Sequence, residues 1–446
     1  MDESKVIGSR LPTGMRYFDS KDIFIREHIL TITKKCYEAR GAQPIDTPVA
    51  ELMETVKNLY GDAFNKEVYK LDDNKTILRY DLTVQFAEYI ASKGITCFRR
   101  SQIGKVYRAD DPQICKGRYC EFYQYDFDIV GDDNELMIYD FEVLDLMDDL
   151  LTKLIGRNFI IKINHRNILY KILENVGISN DKIQLVSSSL DKFDKKTWLE
   201  IQDELKKKEI DQSIIDKLNL IVIAINDIKD NYDMLEYLIT THDIPEITIK
   251  QIKTILQYIK TSNMSSFKLD PFLVRGLDYY TGIIFEAVYK DSSIMSSSIA
   301  SGGRYDKMLE KFCHVGAIPA IGMSLGVERI VTILEKTGFV VPISISPQVY
   351  VASIGSINDI TDMIGERIKL CCEFRRNGIR CMMSHASKPT MRSQFDDVFK
   401  NDIPYMIVIG KNEIIKNSLT IKDIKNNIQI EMTRDEGIKM ILDKMK

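Results

Sequence analysis

At 446 residues the chain exceeds one ordinary hydrophobic core, so two or three domains are expected. Its 44% apolar and 28% charged residues are those of a globular protein in water, and a net charge of −4 excludes binding nucleic acid by bulk charge. The most apolar run, Leu218 to Ile225, is too short to span a bilayer, and the eight cysteines form no C-x-x-C pair that would suggest zinc or a disulfide framework.

The charge is uneven. From Pro347 onward there are 16 basic against 13 acidic residues, so a mildly basic tail (+3) follows an acidic body (−7). That balance permits a nucleic-acid contact without requiring one. The acidic start Met1-Asp-Glu-Ser-Lys5 lacks a secretory or transit pattern, and a reducing, cytoplasmic setting is the expectation.

In chain order, Asp19 or Ser20 can cap a helix to about Arg40, with Ile25, Ile29, Ile32 and Cys36 on one face. Gly41 ends it, and Pro44 to Pro48 forces an extended segment. Ile77 to Val84 reads as a strand end that delivers Asp81 and Thr83, followed by an apolar helix that Asp81 could equally well cap. Ile103 to Pro112 and Tyr119 to Val130 read as antiparallel strands joined by a polar loop through Gly117-Arg118. Strict alternation puts Phe122, Gln124, Asp126 and Asp128 on one face of the second strand. An aromatic, an amide and two carboxylates make a poor core face, and with Arg108 on the neighbouring strand they suit a binding floor.

A helix over Val143–Leu154 and a strand over Phe159–Asn164 come next. From His165 to Met264 the chain reads as an inserted helical module whose charges are solvated faces. Leu273-Val-Arg-Gly-Leu-Asp-Tyr-Tyr-Thr-Gly282 then gathers a permanent cation (Arg275), a carboxylate and two phenols between glycines, ahead of the strand Ile283–Val288. Either Arg275 is a counter-charge for a bound anion, or it pairs with Asp278 in a packed hairpin. Ser301-Gly-Gly-Arg-Tyr-Asp306 is a second glycine-lined approach. Pro319 to Arg329 is a glycine-spaced strand entering a helix from which Arg329 projects. Past a linker at 341–347, strand and helix alternate: Val349–Ala352, Ile360–Arg376, Arg380–Met383, Met391–Phe399 and Tyr405–Ile409, a small α/β domain. Neither a P-loop nor a dinucleotide fingerprint occurs.

The Pro48 strand, Tyr107-Arg108-Ala-Asp110 and Gly326-Val-Glu-Arg329 resemble motifs 1, 2 and 3 of class II aminoacyl-tRNA synthetases. Arg275-Gly-Leu-Asp-Tyr-Tyr280 and Ser301-Gly-Gly-Arg-Tyr-Asp306 resemble the histidine-specific motifs of the histidyl-tRNA synthetase family, and Arg79-Tyr-Asp-Leu-Thr83 is similar to their eukaryotic-type version. Gln85, Glu88 and Ser301 depart from the usual proline, arginine and alanine. The extra N-terminal helical extension of many animal relatives is not expected here. Related alternatives are a class II synthetase for proline, threonine or glycine, a non-catalytic regulatory paralogue, or a tRNA-sensing module.

The resemblance implies an α/β fold: an antiparallel class II catalytic sheet flanked by helices (1–164 and 265–340), a helical insertion (165–264) and an α/β anticodon-binding domain (348–446). It implies a cytoplasmic homodimer, without a membrane, that acts on L-histidine, ATP with Mg²⁺ and tRNA(His), with no tightly held metal of its own. Arg108 and Arg275 would flank the α-phosphate as catalytic residues, Arg118 and Arg329 would hold the outer phosphates, and Phe122 would stack on adenine. Asp81, Leu82, Thr83 and Gln124 would surround the histidine α-amino group. Asp128 and Tyr280 would bracket the imidazole, with Tyr279 beside them.

Overall fold

The structure is a computed structural model. It describes residues 11–57, 59, 67–131, 136–190, 192–193, 196–275, 279–312, 318–340, 346–355, 360–386 and 389–444. Gly276 to Asp278, and with them any Arg275–Asp278 pair, lie outside the described residues, as does most of the expected linker. Two compact units emerge, Met1–Val341 and Pro342–Lys446.

The first unit opens on helix α1 (Ser20–Glu38). Asp19 accepts from the Asp22 N–H at 3.1 Å while Asp22 reaches back to the Asp19 N–H, a reciprocal cap that sets where the helix starts. After β1 (Gln43–Pro44), β2 (Ala50–Leu52), the turn of helix α2 (Met53–Val56) and β3 (Thr76–Leu78) comes α3 (Thr83–Lys93). The long hairpin β4 (Phe98–Tyr107) and β5 (Glu121–Val130) follows, then α4 (Ile138–Ile155) and β6 (Phe159–His165). The first hairpin strand therefore begins at Phe98, earlier than its apolar pattern suggests.

Among the described residues the expected insertion holds six helices, from α5 (Arg166–Val176) through α6 (Asn180–Leu190), α7 (Trp198–Lys207), α8 (Gln212–Asp227) and α9 (Asn231–Thr241) to α10 (Glu246–Thr261). The chain returns through β7 (Phe267–Leu269), β8 (Ile283–Tyr289), β9 (Ala300–Arg304), the short α11 (Asp306–Glu310), β10 (Ala320–Gly326) and α12 (Val327–Lys336).

Eight strands form one sheet in the order β1-β4-β5-β10-β9-β8-β6-β7, antiparallel except for the parallel outer pairs β1/β4 and β6/β7. Alternation along β5 separates its two faces. Tyr125, Phe127 and Ile129 join the core with Ile25, Ile29 and Tyr37 of α1 and the buried leucines of α4. The Tyr37 hydroxyl donates to the Tyr125 carbonyl at 2.9 Å, which pins α1 to the sheet. The opposite face carries Phe122, Gln124, Asp126 and Asp128, and a second cluster including Phe86, Tyr279, Tyr280 and Tyr305 packs nearby. Two bends in the chain need glycine: Gly41 at φ +72° after α1 and Gly117 at φ +65° in the hairpin loop.

The second unit has a five-stranded sheet ordered β12 (Cys381–Met383), β11 (Val349–Ser353), β13 (Tyr405–Ile409), β14 (Ser418–Asp423) and β15 (Ile428–Thr433). The first three strands are parallel and the last two antiparallel, so the sheet is mixed. Helices α13 (Ile360–Arg376), α14 (Met391–Lys400), α15 (Lys411–Lys416) and α16 (Arg434–Lys444) accompany it. In the described residues no helix is long and apolar enough to cross a membrane.

Candidate active site

A cavity of about 270 Å³ opens on the polar face of β5. Its floor comes from Phe122, Gln124 and Asp128, and Met323 and Ser324 of β10 lie beside them. Asp81 and Thr83 enter from the turn before α3, Tyr279 and Tyr280 from the loop before β8, and Tyr305 from the end of β9. Arg108, Arg118, Arg275 and Arg329 also line it. The loop of the β4–β5 hairpin, the stretch before β8 and the start of α12 thus bring four arginines to one space.

Those cations are held in distinct ways. Arg108 donates to the Tyr80 carbonyl at 3.2 Å and to Gln124 Oε1 at 3.4 Å, and its guanidinium lies 4.5 Å from the Tyr80 ring centre. Its distance to the Phe122 ring centre is 5.3 Å. Among the described residues Arg275 donates to Glu286 Oε2 on β8 at 2.8 Å. Arg118 pairs with Asp110, and Arg329 donates to the Ser298 carbonyl and, at 3.1 Å, to Ser298 Oγ. Burial and the repulsion of Arg108, Arg118 and Arg275 push the Arg329 guanidinium down to about 10. That is the electrostatic mark of a space built for an anion.

The other half of the cavity is a polar box. Asp81 Oδ1 accepts the Thr83 and Val84 N–H groups at 2.9 and 3.2 Å, capping α3. Its other oxygen takes the Tyr279 hydroxyl at 3.4 Å, so the capping carboxylate also faces the cavity. Gln124 donates to Ser324 Oγ at 2.5 Å. Asp128 accepts from Tyr305 on Oδ1 at 2.5 Å and from Arg100 Nε on Oδ2 at 2.6 Å. The rings of Tyr279 and Tyr280 sit 4.7 Å apart, and burial raises both phenols, keeping them neutral donors. Two glycines leave room for this box: a Cβ on Gly322 would lie 1.9 Å from Asp128 Oδ1, and one on Gly303 would lie 2.8 Å from the Tyr280 ring.

Of the residues expected from the sequence, Asp81, Thr83, Arg108, Arg118, Phe122, Gln124, Asp128, Arg275, Tyr279, Tyr280 and Arg329 all line this cavity. Leu82 does not: its side chain is fully buried, and its carbonyl accepts from Arg100 Nη1 at 2.8 Å. The leucine meets the residues beneath the cavity through its carbonyl. Ser301, which departs from the usual alanine, lines the cavity. Gln85 is also engaged, with its amide donating to the Pro48 carbonyl at 2.7 Å and accepting from Thr47 at 2.5 Å.

Arg100, Tyr305 and Glu328 were not singled out by the sequence. Glu328 accepts the Tyr123 N–H at 2.8 Å and faces Arg26 of α1 at 3.4 Å, tying α12 to the strand that carries Phe122 and Gln124. Burial pushes its carboxyl up to about 7. A usable signal for Arg100 existed. The hairpin register that sets Tyr107 opposite Glu121 also sets Arg100 opposite Asp128.

A family model described as histidyl-tRNA synthetase matches residues 14–330, and one described as an anticodon binding domain matches 348–444. The chain is 35% identical to the cytoplasmic histidine–tRNA ligase of Dictyostelium discoideum, over 97% of this chain and 90% of that protein. It is 33% identical to the mitochondrial histidine–tRNA ligase of Saccharomyces cerevisiae, over 97% of this chain and 84% of that one. A solved histidyl-tRNA synthetase from Nostoc superposes with a TM-score of 0.74 at 24% identity, over 98% of this chain and all of that one.

Proposed function

The chain belongs to the histidyl-tRNA synthetase family, and on that premise we propose how its residues divide the work. The reaction is the ligation of L-histidine to tRNA(His) at the expense of ATP. Histidine's carboxylate oxygen attacks the α-phosphorus of ATP and expels pyrophosphate. A terminal ribose hydroxyl of the tRNA then attacks the adenylate carbonyl and releases AMP. Carboxylate and triphosphate repel each other, so the first step needs fixed cations where charge develops.

The observation that carries this reading is the cavity itself, in which a polar box sized for a small zwitterion adjoins four arginines. Asp81, Thr83 and Gln124 suit the α-amino group, since all three offer acceptor oxygens. Asp128 accepts from one imidazole nitrogen, and Tyr280 pairs with the other through its hydroxyl. Tyr279, bonded to Asp81, closes the same wall. Arg108 and Arg275 flank the α-phosphate, Arg118 and Arg329 take the outer phosphates, and adenine stacks on Phe122 beside the Arg108 guanidinium. The Mg²⁺ that accompanies ATP arrives as part of the substrate and screens its outer phosphates. The described residues contain no cluster of three carboxylate, histidine or cysteine ligands to hold a metal independently.

The two compact units support a division of labour. Residues 1–164 and 265–340 form the catalytic part, 165–264 the insertion, 341–347 the linker and 348–446 the anticodon-binding part. All ATP and histidine contacts lie before Leu334, while the basic excess lies after Pro347. Full-length protein is expected to catalyse ATP–pyrophosphate exchange dependent on L-histidine. Deleting everything after Pro342 should leave that exchange measurable and lower tRNA charging by more than about tenfold, the loss expected when a second binding module no longer adds its effective concentration. Exchange that ignores histidine would overturn the activity, and normal charging by the truncated protein would overturn the domain assignment.

The same reading makes the protein a cytoplasmic homodimer with a two-fold interface built from α1 and the strand around Pro48. Val49 and Leu52 support it as exposed apolar side chains next to that proline. Light scattering at micromolar concentration should report twice the chain mass. A fully active monomer would refute it.

A further inference from the structure

Beneath the cavity floor lies a charge that does not touch the cavity. Arg100 is fully buried on β4, directly opposite Asp128 on β5. Its Nε donates to Asp128 at 2.6 Å and its Nη2 to Asp126 at 3.1 Å. Its Nη1 donates to the Leu82 carbonyl at 2.8 Å and to Gln102 Oε1 at 2.7 Å. The guanidinium packs 4.4 Å from the Phe86 ring centre. Gln102 is fixed in turn by the Thr47 hydroxyl at 2.8 Å. Every nitrogen of the fork is therefore used, and only an arginine has that many donors in one plane.

We propose that Arg100 is a positioning residue for histidine recognition: it keeps Asp128 ionised and aimed, with Asp126 as its second counter-ion. The proposal rests on the reading of Asp128 as an imidazole ligand. Its logic is one of protonation state. A buried carboxylate without a cation takes up a proton. Protonated Asp128 would then turn an O–H toward an imidazole N–H, donor against donor. Burial pushes Asp128 up and Arg100 is the first influence opposing it. Asp126, raised to about 7 by burial together with the neighbouring Asp128 charge, is held down chiefly by the same arginine.

The other titratable groups facing Asp128 do not replace that cation. Asp81 adds charge of the same sign as Asp128. Tyr279, Tyr280 and Tyr305 are kept neutral by burial. With both aspartates ionised, the buried triad carries one net negative charge. Losing Arg100 makes that two. Losing Arg100 and neutralising Asp126 together returns it to one.

That arithmetic sets the experiment, which uses the full chain and histidine-dependent ATP–pyrophosphate exchange. Arg100→Gln keeps a donor beside Asp128 but not the charge. Its KM for histidine should rise by about 50-fold at pH 7.5 and fall back by about tenfold by pH 9, because each pH unit below a raised pKa changes the ionised fraction tenfold. KM for ATP should stay within about threefold, and each histidine KM is compared with wild type at the same pH, because the window lies above the imidazole's titration but reaches that of the substrate's α-ammonium. Adding Asp126→Asn to Arg100→Gln should recover about tenfold of the loss at pH 7.5, a non-additive rescue that a merely structural arginine would not show. Arg100→Lys should lie between wild type and Arg100→Gln. If Arg100→Gln does not fold by circular dichroism, the charge-matched double variant carries the decision alone through its histidine KM. A pH-independent loss in Arg100→Gln, or no rescue in the double variant, overturns the role of Arg100. Asp128→Asn, measured alongside, separates the two levels: an unchanged histidine KM in that variant overturns the Asp128 reading as well.

Discussion

Replacing Asp128 by asparagine lowers kcat/KM for histidine by about 10³-fold while leaving KM for ATP within a few-fold. The substitution preserves shape and removes one acceptor. Asp128 already accepts Tyr305 on one oxygen and Arg100 on the other, and the imidazole N–H would make a third donor. An amide offers one oxygen and one N–H₂, so at least one of those donors must face another donor in a buried site. Gly322→Ala tests the same geometry from the opposite strand. Its Cβ would fall 1.9 Å from Asp128 Oδ1 and 3.0 Å from the Phe127 carbonyl, so the carboxylate would have to leave its place. Both variants should lose histidine selectively. If either loses ATP affinity to the same degree, the damage is to the sheet and the imidazole assignment fails.

Arg275→Ala slows adenylate formation by about 10²-fold or more in single-turnover measurements, the usual loss for one preorganised group facing developing charge. Binding of histidine and ATP weakens much less, because the arginine acts chiefly on charge that grows at the α-phosphate. Arg275 is held by Glu286 at 2.8 Å on a strand in the middle of the sheet, so its fork is oriented before substrate arrives. Lysine recovers only part of the rate, since a compact ammonium cannot hold Glu286 and reach the phosphate as a planar fork does. An arginine that merely served this ion pair would show a lowered melting temperature with near-normal turnover per folded molecule. That result would remove Arg275 from the catalytic list.

How far the sequence could be read depended on the kind of signal. The alternation in Phe122-Tyr-Gln-Tyr-Asp-Phe-Asp128 does separate a polar floor from an apolar core face, because period two is enforced by the pleat. The reciprocal cap at Asp19 and Asp22 marks the start of α1 through chemistry local to four residues. The beginning of β4 was illegible for a physical reason. Phe98-Arg-Arg-Ser-Gln102 looks like solvated loop, yet Arg100, Ser101 and Gln102 are buried. The polar groups of Arg100 and Gln102 are satisfied by Asp126, Asp128, Leu82 and Thr47, which local sequence does not reveal. Strands β14 and β15 were missed because their Lys-, Asn- and Asp-rich flanks and the exposed outer strand carry little apolar contrast.

By itself the sequence determined where the candidate side chains stand: the arginines and tyrosines of short glycine-flanked motifs, and one strand face bearing an amide and a carboxylate. Those are properties of spacing along the chain, and spacing dictates which way a side chain points. Only the tertiary structure decided what each of them meets. It brought Arg108, Arg118, Arg275 and Arg329 to one cavity, placed Glu286 beside Arg275, turned Leu82 inward and set Arg100 under Asp128. Those pairings depend on strand register and on loops closing over long stretches of chain, and a buried charge is stable only once that closure has supplied its partner.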